Sequence, residues 1–222
     1  MSNFSQAVQQ KAYQSTGSDI PEGAIRMTRD EVLEYNKGRV SNWSPHYEMW
    51  PFGIGQGILG GIAVLGCLTI NSHYRKKFFL GNSGRFNTFA PTVIIPTCTM
   101  MVAHEMFVKS KILAADFTCP VCEEIKSGVI QAIVGTVYPA MLGTFSTIIV
   151  ARSLKIFTVP SLAQKKDFNS LLRRISPKSS FLAIAMVNFG AGMFICGQQI
   201  SALNKTMLTN RQGFESEGFT NS

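Results

Sequence analysis

Cys119 and Cys122, in the segment FTCPVCEEIKSG, have the two-residue spacing that serves three chemistries. A zinc site needs four ligands, and the chain offers no second CxxC or His pair nearby, only the isolated His46. A dithiol redox centre needs a helix N-terminus in a βαβ setting to depress one thiol pKa. The third chemistry is a structural disulfide across a local turn. A second group with reactive potential is His104 with Glu105, because an ionised carboxylate inside an apolar stretch is costly and is a functional candidate by default. Lys109 stands at i+4 from Glu105, so the favoured reading is an interfacial ion pair. A proton or substrate pathway would need polar partners on other helices, where the third and fourth spans offer Thr, Ser, Asn188 and Gln198. No catalytic residue, cofactor site or metal site is assigned.

The elements that must position these groups are four apolar stretches, at about 51–73, 86–108, 130–151 and 181–200, each long enough to cross a hydrocarbon layer as a helix. The chain has 21 basic and 13 acidic residues, and only Glu105 of them falls inside a stretch. A soluble helical core would instead alternate charge with a period near 3.6. The expectation is an all-α integral membrane bundle of four transmembrane helices. A polar segment with a short helix (1–50) precedes the membrane domain (51–200), and a polar tail (201–222) follows. The first residues lack the apolar core of a secretory signal and the arginine density of a transit peptide, so targeting is expected to be internal. The net charge of +8 is concentrated in short loops, which points to membrane topology and anionic lipid rather than nucleic acid.

Loops one and three carry eleven Lys and Arg residues against three in loop two. They are therefore expected on the cytosolic or matrix side, with loop two and both termini opposite. That side permits oxidation, which favours the disulfide reading of Cys119 and Cys122.

Thr28 to Glu31 has capping-box spacing and Gly38 is a plausible C-cap, so residues 29–37 are expected to form a helix lying on the membrane or gripping a partner. Trp43, Tyr47 and Trp50 are expected to anchor the headgroup region. Gly53, Gly57 and Gly61 recur every four residues, and Gly128, Ala132, Gly135, Pro139 and Gly143 form a similar ridge. Such ridges allow close helix approach, either to each other or to a partner, and Pro139 should kink its helix. In loop three, Phe168, Leu171, Leu172 and Ile175 form a stripe flanked by Lys165, Lys166, Arg173 and Arg174. This predicts an amphipathic helix facing anionic lipid such as cardiolipin.

Three motifs, NSHYRKKF (71–78), DFTCPVCEEIKSG (116–128) and GTVYPA (135–140), in this order and separation, resemble the transmembrane protein 126 family. The CxxC is closer to the A branch of that family. The resemblance implies a mitochondrial inner-membrane, multi-pass assembly factor for the membrane arm of respiratory complex I, with both termini in the intermembrane space. Its implied partners are complex I assembly factors and newly inserted, mitochondrially encoded subunits, and an inner-membrane insertase is a further candidate. The competing readings are a small tetraspan transporter or channel, and a thiol–disulfide redox protein using Cys119 and Cys122.

Overall fold

A computed structural model of the chain describes residues 27–155 and 179–220, with side chains as far as Met207. Among the described residues the secondary structure is helical and contains no strand. The first helix, α1 (Arg29–Ser41), starts at a complete capping box. The Glu31 N–H donates to the Thr28 hydroxyl, and the Thr28 N–H donates to the Glu31 carboxylate at 2.7 Å. These bonds satisfy two otherwise orphaned donors and hold the Glu31 carboxyl below its usual range. The helix runs through Gly38, the expected stop, and ends where the Asn42 N–H reaches the Gly38 carbonyl.

Tertiary contacts explain the extra turn. Arg39 donates to the Thr206 carbonyl, Asn36 is buried and donates to the Leu113 carbonyl at 2.7 Å, and Arg29 pairs with Asp116 at 3.3 Å. The helix expected to lie on the membrane or grip a partner is thus docked on the chain's own helix ends. Of the three rings expected as an anchor, Tyr47 is 75% exposed, whereas Trp43 donates to Glu48 and Trp50 packs on the core.

Among the described residues, four helices are long and apolar enough to cross a membrane: α2 (Gly55–Lys77), α3 (Arg85–Leu113), α4 (Pro120–Ser153) and the Ser179–Met207 part of α5 (Ser179–Thr220). The last of these does not stop at Ile200. No Gly or Pro interrupts residues 201–207, and Ala202, Leu203 and Thr206 are buried at the α1 end.

The four spans run alternately up and down, which three apolar clusters record from one pole to the other. Phe52, Ile112, Leu113, Ile200 and Leu203 meet at the first pole. Leu59, Ala63, Met100 and Ile195 fill the middle, and Ile70, Tyr74, Phe78, Val150 and Phe181 close the second pole. Phe181 meets His73 and Tyr74 edge-on there, with centroids 5.1 and 5.8 Å away. Loop two and α1 lie at the first pole, and loop one lies at the second. Between helices in lipid, close van der Waals contact and polar bonds replace the hydrophobic driving force.

Among the described residues, wide, π-type turns interrupt the spans at Ala90–Ile94, Glu105–Lys109 and Ile133–Val137, each closed by an N–H reaching back five residues. The first and third run into Pro96 and Pro139, which lack the donor that a regular helix would present to the carbonyls of Thr92 and Gly135. The kink expected at Pro139 therefore coincides with a widened turn just before it.

Candidate functional site

The first span has two glycine faces. Gly55, Gly60 and Gly66 point into the bundle with the buried residues Leu59, Ala63 and Cys67. A Cβ on Gly66 would lie 2.9 Å from Ile184 and 3.5 Å from both Asn188 and the Gly135 carbonyl oxygen. Gly53, Gly57 and Gly61 occupy the opposite side, where an added Cβ meets nothing within 4 Å among the described residues, and exposed Ile54, Ile58 and Leu65 stand nearby. The expectation that this ridge packs on the Gly128–Gly143 ridge is therefore corrected: Gly66 is the α2 glycine that meets Gly135. At about 100° per residue, positions 57 and 61 share a face that turns away from the stripe 55, 59, 63, 66 and 70.

The ridge on α4 is enclosed, and it faces two sets of neighbours. A Cβ on Gly128 would lie 2.8 Å from the Phe189 carbonyl oxygen, and one on Gly192 would lie 2.8 Å from the Ser127 carbonyl oxygen. The two glycines thus bring α4 and α5 into backbone contact. Past the wide turn, Gly143 faces Tyr74 and Thr92 at 3.2 Å, and Pro139 is buried.

Polar side chains cross-link the same interior. Gln131 donates to the Leu59 carbonyl at 3.2 Å and to the Asn188 amide oxygen at 3.3 Å. Asn188 donates to the Ile184 carbonyl at 2.9 Å, Ser127 to the Gly192 carbonyl at 2.9 Å, and Gln199 to the Pro51 carbonyl at 3.0 Å. Gln199 also lies against the buried His104. Gln131 and Gln199 were not among the polar partners expected from the sequence, although an amide within an apolar stretch, alone at 131 and beside Gln198 at 199, was the signal available. Their bonds run to backbone carbonyls and neighbouring amides, so they act as interhelical ties. Glu105 and Lys109 pair at 2.9 Å, one turn apart on α3.

At the start of α4, Cys119 is the N-cap. Its sulfur accepts from the Cys122 N–H at 3.3 Å, and Pro120 occupies the first helical position. The structure pairs Cys119 with Cys122, whose Cα atoms lie 5.3 Å apart. Lys126, one turn on, pairs with Glu123 at 3.6 Å. The loop-three residues Lys165, Lys166, Arg173 and Arg174, and the amphipathic helix expected around them, lie outside the described residues.

Loop one contains a residue that the sequence reading counted only as a topological charge. Arg75 is 7% exposed, and its guanidinium donates to the Gly81 carbonyl at 2.7 Å, the Ser83 carbonyl at 3.0 Å, the Gly84 carbonyl at 3.3 Å and the Thr88 hydroxyl at 2.7 Å. The turn it holds needs left-handed backbone at Phe79 (φ 55°), Gly81 (φ 52°) and Gly84 (φ 60°). Gly84 has a further reason to lack a side chain, because a Cβ there would collide with Val150. For Phe79 the conformation costs about 1–2 kcal/mol, and its ring is 75% exposed.

Residues 36–211 match the family model described as Transmembrane protein 126. A Drosophila melanogaster protein named Transmembrane protein 126 is 31% identical over 198 residues, covering 87% of this chain and 89% of the relative. No solved structure matches.

Proposed function

This chain belongs to the transmembrane protein 126 family, and on that premise we propose that it is a non-enzymatic assembly factor of the mitochondrial inner membrane. It holds partly built modules of the complex I membrane arm together with newly inserted subunits. The observation that carries the docking role is the open stripe Gly53, Gly57 and Gly61, where nothing among the described residues lies within 4 Å of an added Cβ. A stripe of this kind lets a second helix approach backbone to backbone, as the enclosed glycines on α4 and α5 do inside the bundle. The choice of complex I as client rests on the family and not on the geometry.

The same reading assigns loops one and three to the matrix and both termini to the intermembrane space, from the excess of Lys and Arg in those loops. Protease added to mitoplasts should cut the tails and spare the loops. A second reading, thiol–disulfide exchange, is favoured by the position of Cys119 at the N-terminus of α4.

The deciding experiment is separation of native membrane complexes from mitochondria. Co-migration with complex I intermediates, and accumulation of truncated membrane-arm intermediates when the protein is deleted, are the expected results. Migration only as a small free species, with complex I unaffected by deletion, would overturn the proposal.

A further inference from the structure

The loop-one ends of α2 and α3 flank an open pocket of about 840 Å³. Asn71, Arg75, Lys76, Phe79, Arg85 and Phe86 line its mouth and walls. Three of these six are cationic, and from Arg75 to Phe89 the sequence has no Asp or Glu. Lys76 and Arg85 are exposed and make no ion pair among the described residues. The four hydrogen bonds of the buried Arg75 go to carbonyls and a hydroxyl, so its charge is solvated but not neutralised. Arg85 is close enough to add repulsion.

Two further observations point to a ligand that is both polar and apolar. Asn71 is 5% exposed, and its side-chain oxygen has no hydrogen-bond partner among the described residues although it lines the pocket. Phe79 and Phe86 are each 75% exposed beside the cations, and Phe79 is held there in left-handed backbone. The left-handed backbone of Phe79 is the cap that ends α2, with the Leu80 N–H reaching the Arg75 carbonyl at 3.2 Å, and it leaves the ring turned outward beside the cations. All six residues lie at the ends of two spans, the level of lipid phosphates.

We propose that this pocket binds an anionic glycerophospholipid. Lys76 and Arg85 contact its phosphate, Asn71 accepts a hydrogen bond from a hydroxyl of the headgroup or glycerol, and the rings of Phe79 and Phe86 lie along the upper acyl chain. The inference goes beyond the assembly role and holds whether or not complex I is the client.

Native mass spectrometry of the purified full-length protein, titrated with phosphatidylglycerol or with phosphatidylcholine of the same chains, tests it. Phosphatidylglycerol should be retained preferentially. Lys76→Gln with Arg85→Gln should weaken that retention by roughly tenfold or more, as expected for two cations near a phosphate. Lys37→Gln with Lys111→Gln, an equal charge change at the other pole, should leave it intact. Equal retention of the two lipids, or full retention of phosphatidylglycerol by the Lys76 and Arg85 double variant, would overturn the site. Displacement of the lipid by an equal concentration of inorganic phosphate would overturn the lipid in favour of a free anion. If the double variant fails to fold, wild-type binding of phosphatidylglycerol that does not weaken with added salt refutes the proposal.

Discussion

The guanidinium of Arg75, on the last turn of α2, donates to the hydroxyl of Thr88, on the first turn of α3, across 2.7 Å. The same group reaches three loop carbonyls, so one side chain fixes the angle between two spans and the path of the turn that joins them. Arg75→Met should leave those acceptors without their buried donor and lower stability by about 3 kcal/mol. Arg75→Lys should recover only part of this loss, because an ammonium cannot address acceptors spread across the fork of a guanidinium. Thr88→Val should cost about 1 kcal/mol. Denaturation of the purified protein in mixed micelles checks the order, and an Arg75→Met variant as stable as Thr88→Val would contradict it.

The two glycine faces predict opposite kinds of damage. Gly192→Val places side-chain atoms where the Ser127 carbonyl and the Gly128 backbone now stand, so it should force α4 and α5 apart and deplete the protein. At Gly57 an added Cβ meets nothing within 4 Å among the described residues, so Gly57→Leu should leave abundance and melting unchanged while abolishing co-migration with assembly intermediates. Steady-state level measured beside native-gel migration separates the two. Unchanged migration of Gly57→Leu would show that the outer stripe faces lipid alone.

Cys119 both caps α4 and pairs with Cys122. Serine is a competent N-cap, so Cys119→Ser should lose the pairing but keep the cap, whereas Cys119→Ala should lose both and cost about 1 kcal/mol more. The closed loop is very short, so the double serine variant should lower protein level only modestly. A catalytic dithiol predicts instead that either single serine variant abolishes complex I maturation at normal abundance.

Glu48 accepts from the Trp43 indole and pairs with Lys205 at 3.2 Å, and these two contacts hold its carboxyl below the ordinary value of 4.5. A lowered folded-state pKa means that the link stabilises the fold above that ordinary value and weakens as the pH falls through the lowered one. Trp43 fluorescence and peptic cleavage around α1 should therefore change in acid below about pH 4.5. Glu48→Gln should flatten that response, and an unaltered acid transition in the variant would assign it to another carboxylate.

The spans were legible because hydrocarbon-facing and helix-facing residues are both apolar, so stretches such as 130–151 stand out whichever way each side chain points. That uniformity also hid rotation. Gly53, Gly55, Gly57, Gly60, Gly61 and Gly66 sit on every side of the first span, and no periodicity distinguishes Gly57, which faces outward, from Gly66, which meets Gly135. Gln131 and Gln199 were obscured for a related reason, since an amide in an apolar run gives no sign of its distant carbonyl partner. Arg75 sits in a basic run with Lys76 and Lys77, and only the fold distinguishes the one that turns inward.

The wide turn at Ile133–Val137 holds one residue more than a regular helical turn, and one residue corresponds to about 100° of rotation. It works as a phase shifter within α4, setting the bearing of the Gly128 half, seated on α5, against that of the Gly143 half, seated on Tyr74 and Thr92. Deleting a single residue there would leave a continuous apolar helix of nearly the same length and composition. Every contact downstream would nevertheless point to the wrong neighbour.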